Sequence, residues 1–319
     1  MNPAASIAPR LAPDAPLSIV LNAGSGHEDA DAACAAITAV LDAAGRRHSL
    51  HRIDSPERHA AVVAEAAEEA QARGAALVAA GGDGTLSSVA VQAMAHGLVF
   101  GALPAGTFNL FGRAHGLPLD VADGTRALLR ASPAPVQVGR VGGRPFLVNA
   151  ALGMYPAMLE DRERFKAEHG RSRMSAIVSG IGTLLHDPGQ LRLDIDDGDG
   201  RRAVRTPTLF VGNNPLQLAR LGFDTMPGDG RLAGVVVRPI GTLAMLWLAL
   251  RGALGTLGDA DQVESFRFRR LEVAPRGQGR TKVAIDGEVV RLESPLVFDV
   301  SPEPLWLLAP APEDRVDPE

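Results

Sequence analysis

The run Leu77-Val78-Ala79-Ala80-Gly81-Gly82-Asp83-Gly84-Thr85-Leu86 is an apolar strand that stops in a glycine-rich turn, after which helical spacing resumes. A strand that feeds a helix through so short a loop commits this region to a β–α unit, and so to a mainly parallel sheet with helices on its faces. Glycines let the backbone turn at positive φ and approach an oxygen-rich ligand closely. The helix start adds unpaired N–H groups and the positive end of its dipole. Asp83 places a carboxylate where a metal ion or a hydroxyl proton is handled. The same residues also suit an ordinary tight turn with Asp83 or Thr85 as N-cap; the motifs that accompany them favour the phosphate site.

The alternation extends on both sides of that turn. Short apolar runs at 17–21, 49–53, 77–80 and 99–103 predict strands, and helical spacing at 31–44, 57–73 and 86–96 predicts the helices between them. Ligands of such a sheet sit at the carboxyl ends of its strands. Beyond a Ser132-Pro133-Ala134-Pro135 linker the pattern changes to β-like runs at 136–141, 144–152, 190–196, 203–211, 231–238, 265–273, 282–285 and 296–300. These predict an antiparallel, sandwich-like second domain with helical insertions near 157–186 and 239–257. The 319 residues therefore divide into a flexible tail over 1–16, an α/β domain over 17–133 and a β-sandwich domain over 134–319, whose C-terminal segment is free to return to the first domain.

Composition excludes several classes of function. The formal charge is −5 and the basic residues are almost all arginine, Lys166 and Lys282 being the only lysines, so no basic stripe argues for nucleic acid. A single cysteine, Cys34, lies in an alanine-rich helical pattern and reads as a small core residue of a reducing, cytoplasmic protein. The first residues lack the pattern of a signal peptide. The longest apolar stretch, 241–250, is cut by Arg251 and falls short of the roughly 20 residues that span a bilayer. It reads as a core helix, or as a wall of an acyl-chain cleft that touches the membrane surface through Trp247. Asp194 to Gly200 lacks the ligand order of a calcium loop and reads as a hairpin turn. The histidines show no zinc-ligand spacing.

Further junctions between apolar runs carry polar or glycine-rich loops. Asn22-Ala23-Gly24-Ser25-Gly26 follows the first strand, and its small residues suit a phosphate wrapped by backbone N–H groups. Pro104-Ala105-Gly106-Thr107-Phe108-Asn109 follows the fourth, where Thr107 and Asn109 offer a hydroxyl and an amide to ribose or phosphate. Met226 to Leu232 and Asp286-Gly287-Glu288 lie in the second domain and add three carboxylates, although an Asp-Gly pair by itself reads as a hairpin turn.

Taken in order, these segments resemble the diacylglycerol kinase catalytic family, which includes bacterial soluble lipid kinases, sphingosine kinases and ceramide kinase. Asn22 to Gly26, Gly81 to Thr85, Pro104 to Asn109, Asn149 with Gly153, Gly212-Asn213, Asp229 to Leu232 and Asp286 to Glu288 carry the likeness over nearly the whole chain. The resemblance implies an N-terminal Rossmann-like domain of the kind shared with NAD kinases, then a C-terminal β-sandwich, with ATP between them and phosphoryl transfer to a lipid hydroxyl. It implies that Asn22, Ala23, Gly24, Ser25, Gly26, Ser55, Gly81, Gly82, Asp83, Gly84, Thr85, Leu86 and Ser87 contact ATP, with Thr107 and Asn109 beside them. It assigns Mg2+ to Met226, Asp229 and Arg231, the first and last through main-chain carbonyls. Glu288 matches the proton acceptor, with Asp286 positioning it and Asp83 as the second candidate base. Where many members carry Gly-Asn-Asp this chain has Phe108-Asn109-Leu110, Ser87-Ser88 replaces a frequent Asn-Glu pair, and Leu218 to Leu221 replaces a glycine-rich stretch.

The function expected is thus an ATP-dependent lipid kinase acting on diacylglycerol or a sphingoid-like alcohol. It is expected to be cytoplasmic, with transient contact at the inner membrane face and room for a homodimer. The alternatives are an NAD-kinase-like phosphotransferase and a catalytically silent nucleotide- or lipid-binding module.

Overall fold

In a computed structural model, residues 9–22, 27–169, 190–196, 200–239, 241–276 and 279–317 are described. The chain forms two units, residues 1–138 with 302–319, and residues 139–301. The first boundary thus falls a few residues beyond the expected 133, and the last eighteen residues belong to the first unit. Of the expected tail, residues 9–16 are described. Ala15 is buried and the Pro13 carbonyl accepts from the Arg46 guanidinium, so this stretch is tied down at its C-terminal end.

The first unit alternates strands and helices: β1 (Leu17–Asn22), α1 (His27–Ala43), β2 (His48–Ile53), α2 (His59–Arg73), β3 (Ala76–Gly81), α3 (Asp83–Ala95), β4 (Phe100–Pro104), α4 (Leu110–Ala114), α5 (Val121–Arg130) and β5 (Ser132–Val136). The strand Leu305–Ala309, β18 in chain order, completes a sheet of order β2-β1-β3-β4-β18-β5. All its pairs are parallel except that of β18 with β5. Side chains on a strand alternate between faces. Leu17, Ile19 and Leu21 therefore pack with Ile37 and Leu41 of α1, while Ser18 between them donates to the Ala66 carbonyl of α2. Helices so cover both faces of the parallel sheet.

The Ser132 to Pro135 segment, expected as a linker, is instead the edge strand β5. Its prolines are two residues apart. Alternate residues turn their backbone groups to the same side, so both missing N–H groups face the open edge while Ala134 and its neighbours pair with β18.

The second unit is a sandwich of two antiparallel sheets. One has the order β10-β9-β14-β17-β6-β7, built from β6 (Gly139–Val141), β7 (Arg144–Phe146), β9 (Leu191–Asp196), β10 (Arg201–Thr206), β14 (Arg270–Pro275) and β17 (Leu296–Val300). The other has the order β13-β12-β11-β8-β15-β16, built from β8 (Asn149–Gly153), β11 (Thr208–Gly212), β12 (Leu232–Val237), β13 (Val263–Phe268), β15 (Arg280–Ile285) and β16 (Glu288–Glu293). Val141, Phe146, Leu193, Leu271 and Phe298 of the first sheet share one buried cluster with Leu152, Leu209, Val211, Val236 and Val283 of the second.

Helix α6 (Met154–His169) and a helix at Thr242–Ala253 fall in the two expected insertions; residues 170–186 of the first lie outside the described set. On the second helix Leu248 is buried, while Trp247, Leu250 and Leu254 are 58%, 49% and 67% exposed. No helix among the described residues is long and apolar enough to cross a membrane.

Candidate functional site

The first unit gathers its loops at the carboxyl ends of β1, β3 and β4. Gly82 is the N-cap of α3 in extended conformation and supplies no side-chain cap, so the helix opens with backbone donors and no competing side chain. The loops after β3 and β4 meet backbone to backbone. A Cβ on Gly106 would stand 2.6 Å from the Gly82 Cα, whereas one on Gly84 would meet nothing within 4 Å. Glycine is therefore required where the loops touch, and among the described residues the first turn of α3 is open at Gly84. That is the cradle a phosphate chain needs.

Side chains hold this cradle in shape. Asn22 Nδ2 at the end of β1 donates to the buried Thr85 hydroxyl at 2.8 Å. Asn109 sits at φ 50°, accepts from the Gly106 N–H at 2.8 Å and donates to the Gly106 carbonyl at 2.9 Å. Its amide thus shapes the loop from both ends. Asp83 Oδ1 accepts from the Phe111 N–H at 3.1 Å, capping α4, and its other oxygen has no partner among the described residues. Leu86 is fully buried and its N–H goes to the Gly82 carbonyl, so its side chain packs the helix.

Ser87 is half-buried, and Thr107 and the neighbouring Phe108 are exposed. Ser55 begins a single turn at Pro56–Arg58, where its hydroxyl holds the Glu57 carboxyl below the usual carboxylate range. Burial against the Phe111 ring lowers the His115 imidazole to about 4, so it adds no charge beside the loops at neutral pH. Ala23, Gly24, Ser25 and Gly26 lie outside the described residues.

In the second unit Asp286 and Gly287 form the two-residue turn between β15 and β16, both at positive φ, 46° and 91°. This is the geometry an Asp-Gly hairpin favours. The Asp286 carboxylate does more than turn the chain. Its Oδ1 accepts from the N–H groups of Val148 and Asn149 at 2.9 and 3.0 Å, and its Oδ2 from that of Leu147 at 2.7 Å. Three backbone donors make it a structural latch. Glu288, two residues on, is exposed and its carboxylate has no partner among the described residues. Asn149 and Asn213, both buried, complete the latch: Asn149 donates to Gln217 and Asn213 donates to the Leu147 carbonyl. The Leu147 to Asn149 backbone is the partner that sequence reasoning missed, although Asn149 was among the residues of the resemblance.

Asp229 and Arg231 lie on one tight turn, Gly228 to Arg231, and Met226 precedes it by two residues. Gly228 and Arg231 bond each other N–H to carbonyl, Asp229 sits at φ 54°, and Arg267 donates to the Gly228 carbonyl at 2.9 Å. The donors on offer are one carboxylate and main-chain carbonyls, and no cluster of three or more His, Cys, Asp or Glu occurs among the described residues. Oxygen donors of this kind fit a magnesium ion that keeps most of its waters or takes phosphate oxygens as its remaining ligands.

The model of the diacylglycerol kinase catalytic domain matches residues 16–141. A protein of Pseudomonas putida named "Probable lipid kinase YegS-like" is 35% identical over 256 residues, covering 74% of this chain and 77% of that relative. The chain belongs to the diacylglycerol kinase catalytic domain family. A relative of the same name in Serratia proteamaculans is 28% identical over 70% of this chain and 67% of its own. The likeness to one in Klebsiella pneumoniae, 30% identical, spans only 37% of each chain. A crystal structure described as a diacylglycerol kinase of Bacillus anthracis superposes with a TM-score of 0.66 at 16% identity, over 94% of this chain and 98% of that one. At that identity it speaks for the fold alone.

Proposed function

We propose that this member of the family is an ATP-dependent lipid kinase that moves the γ-phosphoryl group to the hydroxyl of diacylglycerol or a sphingoid-like alcohol. The observation that carries the reading is the first turn of α3, where Gly82 and Gly106 bring two loops into backbone contact, no side chain of the N-cap competes for the helix N–H groups, and a Cβ on Gly84 would meet nothing within 4 Å among the described residues. Backbone N–H donors there bind the phosphates of ATP, a role that elsewhere falls to a lysine-bearing loop. Asp229, with the carbonyls of Met226 and Arg231, would hold a magnesium ion, which when bound supplies charge neutralisation to the phosphates.

In the transfer, the lipid oxygen bonds to the γ-phosphorus, the bond from that phosphorus to the bridging oxygen of ADP breaks, and the hydroxyl proton passes to Glu288. Its exposure, and the lack of a competing partner among the described residues, suit Glu288 to receive it. The exposed stripe Trp247, Leu250 and Leu254 supports a lipid acceptor, because an aromatic ring beside aliphatic side chains suits transient contact with a membrane face. The reading places the protein in the cytoplasm.

The test is incubation with γ-labelled ATP, magnesium chloride and vesicles that contain diacylglycerol, sphingoid bases or mixed lipid extract, with NAD in a parallel reaction. A labelled lipid is the expected product. Labelled NADP would establish the NAD-kinase-like alternative, and ATP binding without transfer to any acceptor would mark a silent module.

A further inference from the structure

The first turn of α3 is built from Gly82, Asp83, Gly84 and Thr85, and glycine is the poorest helix former after proline. Such a turn does not hold its N–H groups rigid by itself. Thr85 is nevertheless clamped at two points. Asn22 bonds its hydroxyl, and the Ser88 hydroxyl donates to its carbonyl at 3.0 Å. Ser88 is held in turn by His59, the first residue of α2, whose Nε2 lies 2.7 Å from the Ser88 oxygen.

The direction of this last bond follows from proton counting. A serine hydroxyl carries one proton, and Ser88 gives it to the Thr85 carbonyl, so His59 Nε2 must be the donor. A serine on a helix surface otherwise rotates among its staggered positions; the imidazole keeps this one aimed along the turn. Neither residue was marked as functional by the sequence, where Ser88 figured only as a departure from the family pattern.

We propose that His59 is a positioning residue for nucleotide binding, acting through Ser88 on the first turn of α3. The proposal rests on the reading that this turn holds the phosphates of ATP. Donors fixed before the ligand arrives need no reordering when it binds, and that is the affinity the relay contributes. Both the neutral imidazole with its proton on Nε2 and the imidazolium can donate this bond, so a non-titrating donor of similar reach should replace the ring.

The test measures ATP affinity of the full chain by displacement of a fluorescent ATP analogue, in wild type, His59→Ala, His59→Gln, Ser88→Ala and the double alanine variant. Loss of one neutral hydrogen bond should weaken ATP binding about fivefold in either alanine variant. The double variant should be no more than about twofold weaker than the singles, because both break one relay. His59→Gln should recover most of the affinity.

A His59→Ala protein that binds ATP like wild type while melting earlier would reduce the relay to a structural contact and overturn the proposal. So would effects that multiply in the double variant. Should His59→Ala fail to fold, Ser88→Ala and His59→Gln carry the same comparison, since alanine is a better helix former than serine. A wild-type protein that binds no ATP analogue would defeat the nucleotide reading itself, an outcome separate from normal binding that survives the substitutions.

Discussion

Asp286 and Glu288 stand two residues apart in one hairpin, and their surroundings assign them different roles. The Asp286 carboxylate is bonded by three backbone N–H groups, while Glu288 is exposed with no partner among the described residues. Asp286→Asn keeps one acceptor oxygen and turns an NH2 group toward a backbone donor. Hydrogen bonds to a charged group contribute about 1.5–3 kcal/mol, so the variant should lose about 3 kcal/mol of stability in urea unfolding. Glu288→Gln should unfold within about 0.5 kcal/mol of wild type, as exposed substitutions do. It should nonetheless slow phosphoryl transfer at least about a hundredfold, the scale of general base catalysis. An Asp286→Asn protein as stable as wild type, or a fully active Glu288→Gln protein, would reverse the two assignments. The motif Asp286-Gly287-Glu288 marked both residues in the sequence. It could not say which carboxylate was committed, because the deciding partners, Leu147 to Asn149, lie far away along the chain. Asp83 is a similar case: its place in the glycine loop was legible, and its bond to Phe111 of α4 was not.

At the scale of elements, the loops after β3 and β4 act as one cradle because glycine faces glycine. Gly106→Ala puts a methyl 2.6 Å from the Gly82 Cα, where backbone, not a flexible side chain, must yield. The two loops should separate and ATP binding should fall at least about tenfold, the loss that follows from about 1.4 kcal/mol of strain, within the usual cost of overpacking. Gly84→Ala, with nothing within 4 Å of the new methyl, is the control for added bulk alone. Equal ATP affinity in Gly106→Ala and wild type would show that the loops do not act together. The strand–loop–helix order that builds this cradle was readable because β1, β3 and β4 are almost wholly buried and mostly apolar. Elsewhere the period of two misled. The runs at 144–152, 203–211 and 265–273 read as single strands, and each is two: β7 and β8, β10 and β11, β13 and β14, with the members of each pair in opposite sheets of the sandwich. Alternation continues through such a crossing, so hydrophobicity does not mark it. Pro207 between β10 and β11 lacks a ladder N–H and is the one local signal of a break. Helices α4 and α5 and strands β16 and β18 were not anticipated, being short or embedded in proline-rich surroundings.

For the whole molecule, the consequence of the topology is that the first unit is closed by the far end of the chain. β18 lies between β4 and β5, pairing Leu307 with Phe100 on one side and residues 305–309 with 132–136 on the other. Leu305, Leu307 and Leu308 are 1%, 1% and 3% exposed. Burying a leucine side chain stabilises by roughly 1.5–3 kcal/mol, so the three together contribute on the order of 5–9 kcal/mol. That is comparable with the whole stability of a typical domain, about 5–15 kcal/mol. The Arg130–Asp314 ion pair beyond the strand holds the Asp314 carboxyl low, but a pair screened by solvent contributes little beside the buried leucines. The two contributions can be separated by where the chain is cut. A chain that stops at Ala309 loses the ion pair and keeps the strand, and it should melt cooperatively and bind ATP close to the wild-type affinity. A chain that stops at Ser301 leaves β5 without a partner and Phe100 uncovered. It should lose ATP binding, and the first unit should be digested rapidly by protease. Recovery of a soluble 1–301 chain with wild-type ATP affinity would mean that β1 to β5 close their sheet unaided, and the order in which the units fold would then no longer depend on the last strand.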